Sequence, residues 1–161
     1  MITQQNNVIR LLQQKKIPHT VHTLSSDQKI SALEVAELLH VPESDVYKTI
    51  VIKRDKPKKN ILALIPAGYI ADLKAIAPIV GEKKVALATQ EEAETLTGLL
   101  TGGISPLALI NKGFDVIIDD SAKMKQTIII SAGERGLQVE ISPVNLAELT
   151  RAKFFLISKE S

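Results

Sequence analysis

The sequence predicts an α+β fold in a single domain, with a mixed, mostly antiparallel β-sheet or open barrel flanked by helices. Its 161 residues are 45% hydrophobic and 24% charged, which suits one globular unit with a buried core. No repeat, low-complexity stretch or long linker divides residues 1–161. Runs of β-branched and aliphatic residues outnumber the segments in which apolar residues recur at helical spacing, and turns join several of these runs.

Five segments carry the patterns of helices. In the first, Val8, Leu11 and Leu12 occupy one helical face. Ser31 and Thr89 each precede a glutamate by three residues, which is the capping-box pattern of a helix N-terminus. The predicted helices cover residues 4–16, the segment after Ser31 through Leu39, residues 69–76, a segment that begins near Thr89, and residues 143–149.

Eight runs are typical of strands. Residues 46–53 and 60–65 are separated by a polar connection, residues 54–59, that contains Pro57. Because proline does not fit the interior of a sheet, these two runs predict a hairpin. The other predicted strands cover residues 19–24, 84–87, 116–118, 127–131, 137–141 and 154–157, and a turn at residues 25–27 follows the first of them.

Composition and spacing exclude several kinds of site. Without cysteine, the chain has no thiolate nucleophile, disulfide or thiolate metal site. His19, His22 and His40 show no HExxH spacing, and the first two would face opposite sides of a strand. We therefore expect neither a metal nor another cofactor. The sequence also lacks the GxGxxG and GxxxxGK[ST] loops and a GxSxG elbow, so nucleotide hydrolysis and a conventional serine triad are not predicted.

Charge and hydropathy bear on location and partners. No apolar run approaches the roughly 18–20 residues of a membrane span, and the first residues lack the apolar core of a signal peptide, so we expect a cytoplasmic protein. The net charge of +2 neither requires nor excludes a polyanionic partner. Residues 53–59 hold five positive charges in seven residues. This predicted hairpin tip is either a contact for a phosphate backbone or a solvated surface.

Lys48 is the first candidate site residue. It lies in the hydrophobic strand 46–53, where a lysine needs an outlet to solvent or an anion. Strand alternation places Val46, Lys48 and Ile50 on one face, so a strand with one exposed face would also accept this lysine. The residue pattern alone leaves a binding role and a surface role open.

The second candidate is the loop that contains Gly102, Gly103, Ile104, Ser105 and Pro106. Adjacent glycines let a backbone approach a ligand closely, and the proline restricts the conformation after them. Exposed N–H groups in such a loop could bind an oxyanion or a phosphate. A Gly-Gly pair is also an ordinary turn, so here too the pattern leaves two interpretations.

Three segments together resemble, in motif, order and spacing, the YbaK family of aminoacyl-tRNA deacylases, also called YbaK/EbsC. They are VYKT at residues 46–49, GGISP at residues 102–106, and Ser131 followed by GERGL at residues 133–137. The family is related to the editing domain inserted in bacterial prolyl-tRNA synthetases. The resemblance covers nearly the whole chain and implies the editing-domain fold and the hydrolysis of amino acids wrongly esterified to tRNA.

The resemblance also implies roles for individual residues. Lys48 would be the essential lysine, suited to the terminal phosphate or ribose of charged tRNA, and Thr49 would line the pocket beside it. Gly102 and Gly103 would offer backbone N–H groups to the ester carbonyl as negative charge develops. The other residues implied in substrate binding are Ile104, Ser105, Pro106, Ser131, Gly133 and Arg135, with Ser105 and Pro106 holding the shape of the loop.

The motifs are most similar to the branch that removes cysteine from tRNA(Pro), in which the substrate's own thiol attacks its carbonyl. The implied partners are aminoacyl-tRNA, above all tRNA(Pro), and prolyl-tRNA synthetase. Leu24 and Ser31 stand where close members carry aromatic residues, and Gln138 stands at a usual acidic position. Ala-tRNA(Pro) therefore stays open as a substrate, and a non-catalytic tRNA- or synthetase-binding module stays open as the alternative function.

Overall fold

The computed structural model describes residues 6–25, 29–55 and 59–161. These residues confirm the predicted α+β class, with five α-helices and ten strands in three sheets that do not close into a barrel. The helices are α1 (Asn7–Gln14), α2 (Ala32–Leu39), α3 (Leu73–Ile79), α4 (Gln90–Thr97) and α5 (Pro143–Thr150). The strands are β1 (His19–Thr23), β2 (Tyr47–Arg54), β3 (Asn60–Pro66), β4 (Ile70–Ala71), β5 (Val85–Leu87), β6 (Phe114–Asp119), β7 (Ile128–Ser131), β8 (Leu137–Ile141), β9 (Lys153–Phe155) and β10 (Ser158–Lys159).

The largest sheet has the strand order β5-β2-β3-β6-β9. The predicted hairpin is confirmed, because β2 and β3 pair antiparallel, with Lys48 opposite Ile65 and Thr49 opposite Leu64. β6 and β9 add in parallel, while the other pairs of named strands in the described part of the chain are antiparallel. The prediction of a mixed, mostly antiparallel arrangement is therefore confirmed. Central position also explains why β3 is buried from Ile61 to Pro66, since helices or a second sheet cover both of its faces.

The second sheet, in the order β1-β8-β7, packs one face against the large sheet. Leu62 and Leu64 of β3 pack with Ile130 of β7 and Val139 of β8 in one hydrophobic core between the two sheets. Leu12 of α1 packs in the same core. A separate core on the other face of the large sheet is covered by α3. The molecule therefore has layers on both sides of the large sheet, and the site described below lies where the two sheets approach each other.

One predicted helix was wrong in its bounds. Residues 69–76 were expected to be helical, but Ile70 and Ala71 form β4, paired with β10 near the end of the chain. The helix α3 starts after Asp72, whose Oδ1 accepts a hydrogen bond from Ala75 N at 3.2 Å. Apolar spacing alone could not locate this start, because pairing with a distant strand overrides the local periodicity.

The ends of the chain also differ from the predicted bounds. The first helix begins at Asn7, capped by Asn6, and the earlier part of the predicted helix, residues 4–5, lies outside the described residues. The predicted strand at residues 154–157 is wrong as one strand, because β9 ends at Phe155 and β10 begins at Ser158. Residues 26 and 27 of the predicted turn, and Lys56, Pro57 and Lys58 of the predicted basic tip, also lie outside the described residues. Among the described residues, no helix has the length and apolar character needed to cross a membrane.

Candidate active site

A cavity of about 420 Å³ opens along an uncovered part of β2. β2 pairs with β5 from Ile52 to Arg54, and Val46 forms a bridge to Ile129. Between these points its edge carries no strand among the described residues, and residues 47–51 line the cavity there. The opposite walls come from the loop at residues 102–106, called the glycine loop below, from β7 and β8, and from the N-terminal ends of α2 and α4.

Five of the ten predicted site residues line this cavity: Lys48, Thr49, Gly102, Ile104 and Ser131. They come from three segments that are far apart in sequence. The other five, Gly103, Ser105, Pro106, Gly133 and Arg135, do not line it. The structure therefore divides the expected set into residues on the cavity surface and residues behind it.

Lys48 is half-buried and has one neutral partner. Its Nζ donates a hydrogen bond to the carbonyl oxygen of Ala67 at 3.2 Å, and among the described residues it forms no ion pair with a carboxylate. Burial lowers the pKa of Lys48 below its usual value, because removal from water disfavours the charged ammonium. A partly desolvated cation without a counter-charge is suited to bind an anion.

Two buried polar side chains in the cavity wall have no partner. The Oγ1 of Thr49 is buried and makes no hydrogen bond. Gln138 on β8 is only 3% exposed, and its amide makes no hydrogen bond to any described residue. Buried polar groups in folded proteins are normally paired, so these two are free to bind a ligand.

The glycine loop depends on close backbone packing. Gly102 has φ +94°, a conformation that side chains rarely adopt. A Cβ on Gly103 would lie 2.8 Å from the carbonyl carbon of Glu134, so only glycine fits against that turn. The N–H of Gly103 donates to Leu100 O at 2.9 Å, so this conformation leaves it no hydrogen bond to offer a substrate. The N–H groups of Gly102 and Ile104 have no partner within the described part of the chain.

A polar network behind the loop fixes its position. Glu94 Oε2 accepts hydrogen bonds from the Thr101 N–H at 2.8 Å and the Thr101 hydroxyl at 3.0 Å. Arg135 Nε donates to Thr101 O at 2.8 Å, and Ser131 Oγ donates to Gly102 O at 3.1 Å. The hydrogen bonds from Thr101 lower the pKa of Glu94. Arg135 therefore contacts the loop rather than the cavity, and Glu94 is a positioning residue that no sequence motif indicated.

The remaining predicted residues give the loop its shape. Ser105 is fully buried and accepts a hydrogen bond from Leu107 N at 3.2 Å. It thereby caps a short 3₁₀ helix, Pro106–Leu109, in which the proline occupies the first position. Gly133, with φ +95°, lies against the side chain of Ala108. None of these contacts reaches the cavity.

The charges that line the cavity among the described residues are positive. Lys29 and Lys48 are both in the wall, without an aspartate or glutamate. The carbon chain of Lys29 packs against Gly102, a contact that the sequence did not indicate. Ser31 lines the cavity and caps α2, whereas Leu24 packs in a separate hydrophobic cluster. The described residues contain no group of three or more histidine, aspartate or glutamate side chains able to hold a metal ion.

This arrangement can bind and polarise a substrate, but it offers no evident side-chain base. Ser131 in the wall donates its hydroxyl proton to a backbone carbonyl, and no histidine or carboxylate stands beside it in the described wall. Free N–H groups and a cation are the elements that stabilise negative charge on a carbonyl oxygen or a phosphate. The geometry thus fits acyl transfer from an already activated ester.

Comparison with known sequences agrees with this chemistry. Residues 28–149 match the sequence model of the aminoacyl-tRNA editing domain. A curated Enterococcus faecalis protein, EbsC, is 34% identical over 152 residues, which cover 94% of this chain and 92% of that protein. Its name describes it as a Cys-tRNA(Pro)/Cys-tRNA(Cys) deacylase.

Comparison with solved structures supports the fold. The crystal structure of hypothetical protein APE2540 superposes with a TM-score of 0.85 at 23% identity, over 94% of this chain and 99% of that one. A structure described as a trans-editing enzyme for prolyl-tRNA synthetase superposes with a TM-score of 0.79 at 20% identity, over 99% of both chains. At these identities the likeness concerns the fold alone.

Proposed function

The chain belongs to the aminoacyl-tRNA editing domain family, and from this premise we propose that it removes cysteine from mischarged Cys-tRNA(Pro). Membership in the family makes it a hydrolase of the ester bond in aminoacyl-tRNA. The observation that carries the proposal is the placement of Lys48, Thr49 and the glycine loop on one cavity of about 420 Å³. The choice of cysteine rests on the motifs and on the name of the E. faecalis relative.

In this proposal Lys48 binds the 3′ end of the tRNA. Its ammonium is partly desolvated and lacks an ion-pair partner among the described residues, so a terminal phosphate or a ribose oxygen would supply the missing acceptor. The hydrogen bond to Ala67 O restrains the side chain of Lys48, which lines the cavity. Lys29, on the opposite wall beside Gly102, adds a second positive charge for the same polyanion.

The glycine loop stabilises the ester carbonyl as negative charge develops on its oxygen. We assign this role to the N–H groups of Gly102 and Ile104, because both residues line the cavity and neither N–H is bonded to another described residue. Gly103 serves the same purpose indirectly, since its own N–H closes a turn with Leu100. Preorganised donors of this kind supply a large part of the catalysis in acyl transfer.

Cysteine itself supplies the nucleophile. Its thiol sulfur attacks the ester carbonyl carbon, the C–S bond forms, the C–O bond to the ribose breaks, and the thiol proton passes to the departing ribose oxygen. Water then opens the cyclic thioester to free cysteine. An aminoacyl ester is an activated bond, so positioning and oxyanion stabilisation suffice without a side-chain base. A substrate without a thiol lacks this route.

The proposed setting is the cytoplasm, where the chain would act on tRNA(Pro) after release from, or together with, prolyl-tRNA synthetase. A second site outside the synthetase is useful because one pocket separates amino acids of similar size poorly. Support for tRNA(Pro) as the partner comes from the name of the E. faecalis relative. The substrate's anticodon lies too far from a site of this size to be read by the cavity itself.

The test is the release of radiolabelled amino acid from Cys-tRNA(Pro) and Ala-tRNA(Pro). Wild type should release cysteine and not alanine, Lys48→Ala should not release it, and Lys74→Ala, at an exposed lysine on α3, should behave as wild type. Release of alanine would assign the chain to another editing branch. No release from either substrate, with tRNA still bound, would favour a non-catalytic binding module.

A further inference from the structure

Two buried polar side chains of the cavity remain without a partner in the described structure and without a role in the reaction above. They are the hydroxyl of Thr49 and the amide of Gln138, which is 3% exposed. Both residues line the cavity from different sheets. A polar group of a ligand bound in this cavity would supply the partner that these buried groups lack.

The main chain of Thr49 adds a third polar group. On β2, Val51 O accepts a hydrogen bond from Ala88 N at 3.0 Å, so Val51 directs its main-chain groups to the edge away from β3. Because main-chain direction repeats every two residues along a strand, Thr49 directs its N–H and C=O to the same edge. No described strand pairs with β2 at that point. An acceptor carbonyl therefore accompanies the two side chains.

The charged side chains in the cavity wall would oppose a cationic ligand. Lys29 and Lys48 line the cavity with it. His22 lies opposite Gln138 on β1 and is 3.0 Å from Glu140, a carboxylate on the same strand face that also accepts a hydrogen bond from Thr127. Neither His22 nor Glu140 lines the cavity. Among the described residues the wall thus presents two cations and no carboxylate.

We propose that Gln138 and Thr49 bind the α-amino group of the aminoacyl substrate in its neutral form. The proposal rests on the editing function above and adds the residues that recognise the amino acid. A neutral amine can donate to Gln138 Oε1 or Thr49 O and can accept from the Thr49 hydroxyl. An ammonium would place a third positive charge near two lysines in a partly desolvated site. The site therefore selects the deprotonated amine.

This selection predicts a specific pH dependence. An α-amino group has a pKa of about 7.7–8.0, so the neutral fraction rises about tenfold for each pH unit below that value. Affinity for an aminoacyl ligand should rise with pH in the same way. A ligand with a hydroxyl in place of the amine carries no such proton, so its affinity should follow only the titration of the protein and of any group the two ligands share.

The experiment uses the full-length protein and two non-hydrolysable amide-linked probes, 3′-cysteinylamino-3′-deoxyadenosine and its 2-hydroxy-3-mercaptopropanoyl counterpart. Dissociation constants are measured by calorimetry between about pH 6 and pH 8. Wild type should bind the amine probe about tenfold more tightly for each unit between about pH 6 and pH 7, and the hydroxy probe should change by less than about twofold. Gln138→Glu should remove or reverse this slope, since a carboxylate favours the ammonium.

A second variant separates binding from charge. Gln138→Met keeps a similar volume without an acceptor, so the amine probe should bind roughly fivefold to tenfold more weakly near pH 8, with the fold checked by circular dichroism. A flat wild-type slope, an equal slope with the hydroxy probe, or an unchanged slope in Gln138→Glu would overturn the proposal. If Cys-tRNA(Pro) is still deacylated in any of these cases, the editing function stands. If no probe binds at any pH and no cysteine is released, the editing function itself fails.

Discussion

Gly103→Ala tests whether close packing of the glycine loop sustains activity. The added Cβ would meet Glu134 C at 2.8 Å, and Glu134 Cα and Arg135 N at 3.0 Å. Ordinary carbon contacts lie at about 3.5–4.0 Å, so the loop or the facing turn must move by roughly 0.5–1 Å. Overpacking against backbone costs about 1–3 kcal/mol, and a displacement near 1 Å from productive geometry costs about 100-fold in rate.

The matched control is Gly81→Ala, at a glycine with φ +75° and no atom within 4 Å of the added Cβ. Its expected cost is backbone strain of about 1–2 kcal/mol, and Gly81 does not line the cavity. Thermal unfolding and deacylation of Cys-tRNA(Pro) are measured for both variants at a temperature where both are folded. Both should lose stability, but only Gly103→Ala should lose activity by about 100-fold. Equal activity of Gly103→Ala and wild type, or an equal loss in Gly81→Ala, would refute the reasoning.

Three further predictions follow from titratable and buried groups. Lys48→Met should abolish deacylation and raise the melting temperature, because burial disfavours the charged lysine and lowers its pKa. The charge destabilises the folded wild type fully below that pKa, so the difference in melting temperature between variant and wild type should narrow as pH rises through it. In the wild type, the lowered pKa of Glu94 means that its carboxylate stabilises the loop and that this stabilisation disappears as pH falls through the pKa. Glu94→Gln should abolish this pH dependence, measured as the protection of the Thr101 amide from hydrogen exchange. Asp119→Ala should lower the free energy of unfolding in urea by about 3 kcal/mol. This buried carboxylate accepts hydrogen bonds from the Ser121 hydroxyl at 2.6 Å and the Ile157 N–H at 3.0 Å. A loss below about 1 kcal/mol would contradict this account.

Local signals in the sequence located most elements, and distant pairing explains where they failed. The capping boxes at Ser31 and Thr89 are present as predicted, because a cap depends on residues only three positions apart. The start of α3 was wrong, since β4 pairs with β10 more than 80 residues later. Ile70 and Ile76 have helical spacing, but this spacing does not show that Ile70 pairs with a strand near the end of the chain.

The sequence indicated part of the cavity wall, because five of the ten expected site residues line the cavity. Strand and loop patterns made Lys48 and Gly102 candidates, the family resemblance gave them expected roles, and both line the cavity. Gly103 and Arg135 belong to the same motifs, yet they contact the backbone of the neighbouring turn and Thr101. Residues can be neighbours in a sequence motif and still differ in whether they line the cavity, because this depends on the direction in which each side chain or backbone group points. The unpaired amide of Gln138 becomes visible only once the two sheets are assembled.

The electrostatics of the cavity explain why the proposed chemistry uses no side-chain acid or base. Among the described residues its wall holds two lysines and neither histidine nor carboxylate, so no side chain is in place to move a proton at neutral pH. The elements proposed to stabilise negative charge are the Lys48 ammonium and fixed N–H dipoles, and the effect of the dipoles depends on a distance of about 3 Å to the carbonyl oxygen. Glu94, Arg135 and Gly103 set that distance from behind the loop. None of these three residues lines the cavity, so substitutions at these positions should lower the rate of the chemical step with little change in substrate affinity.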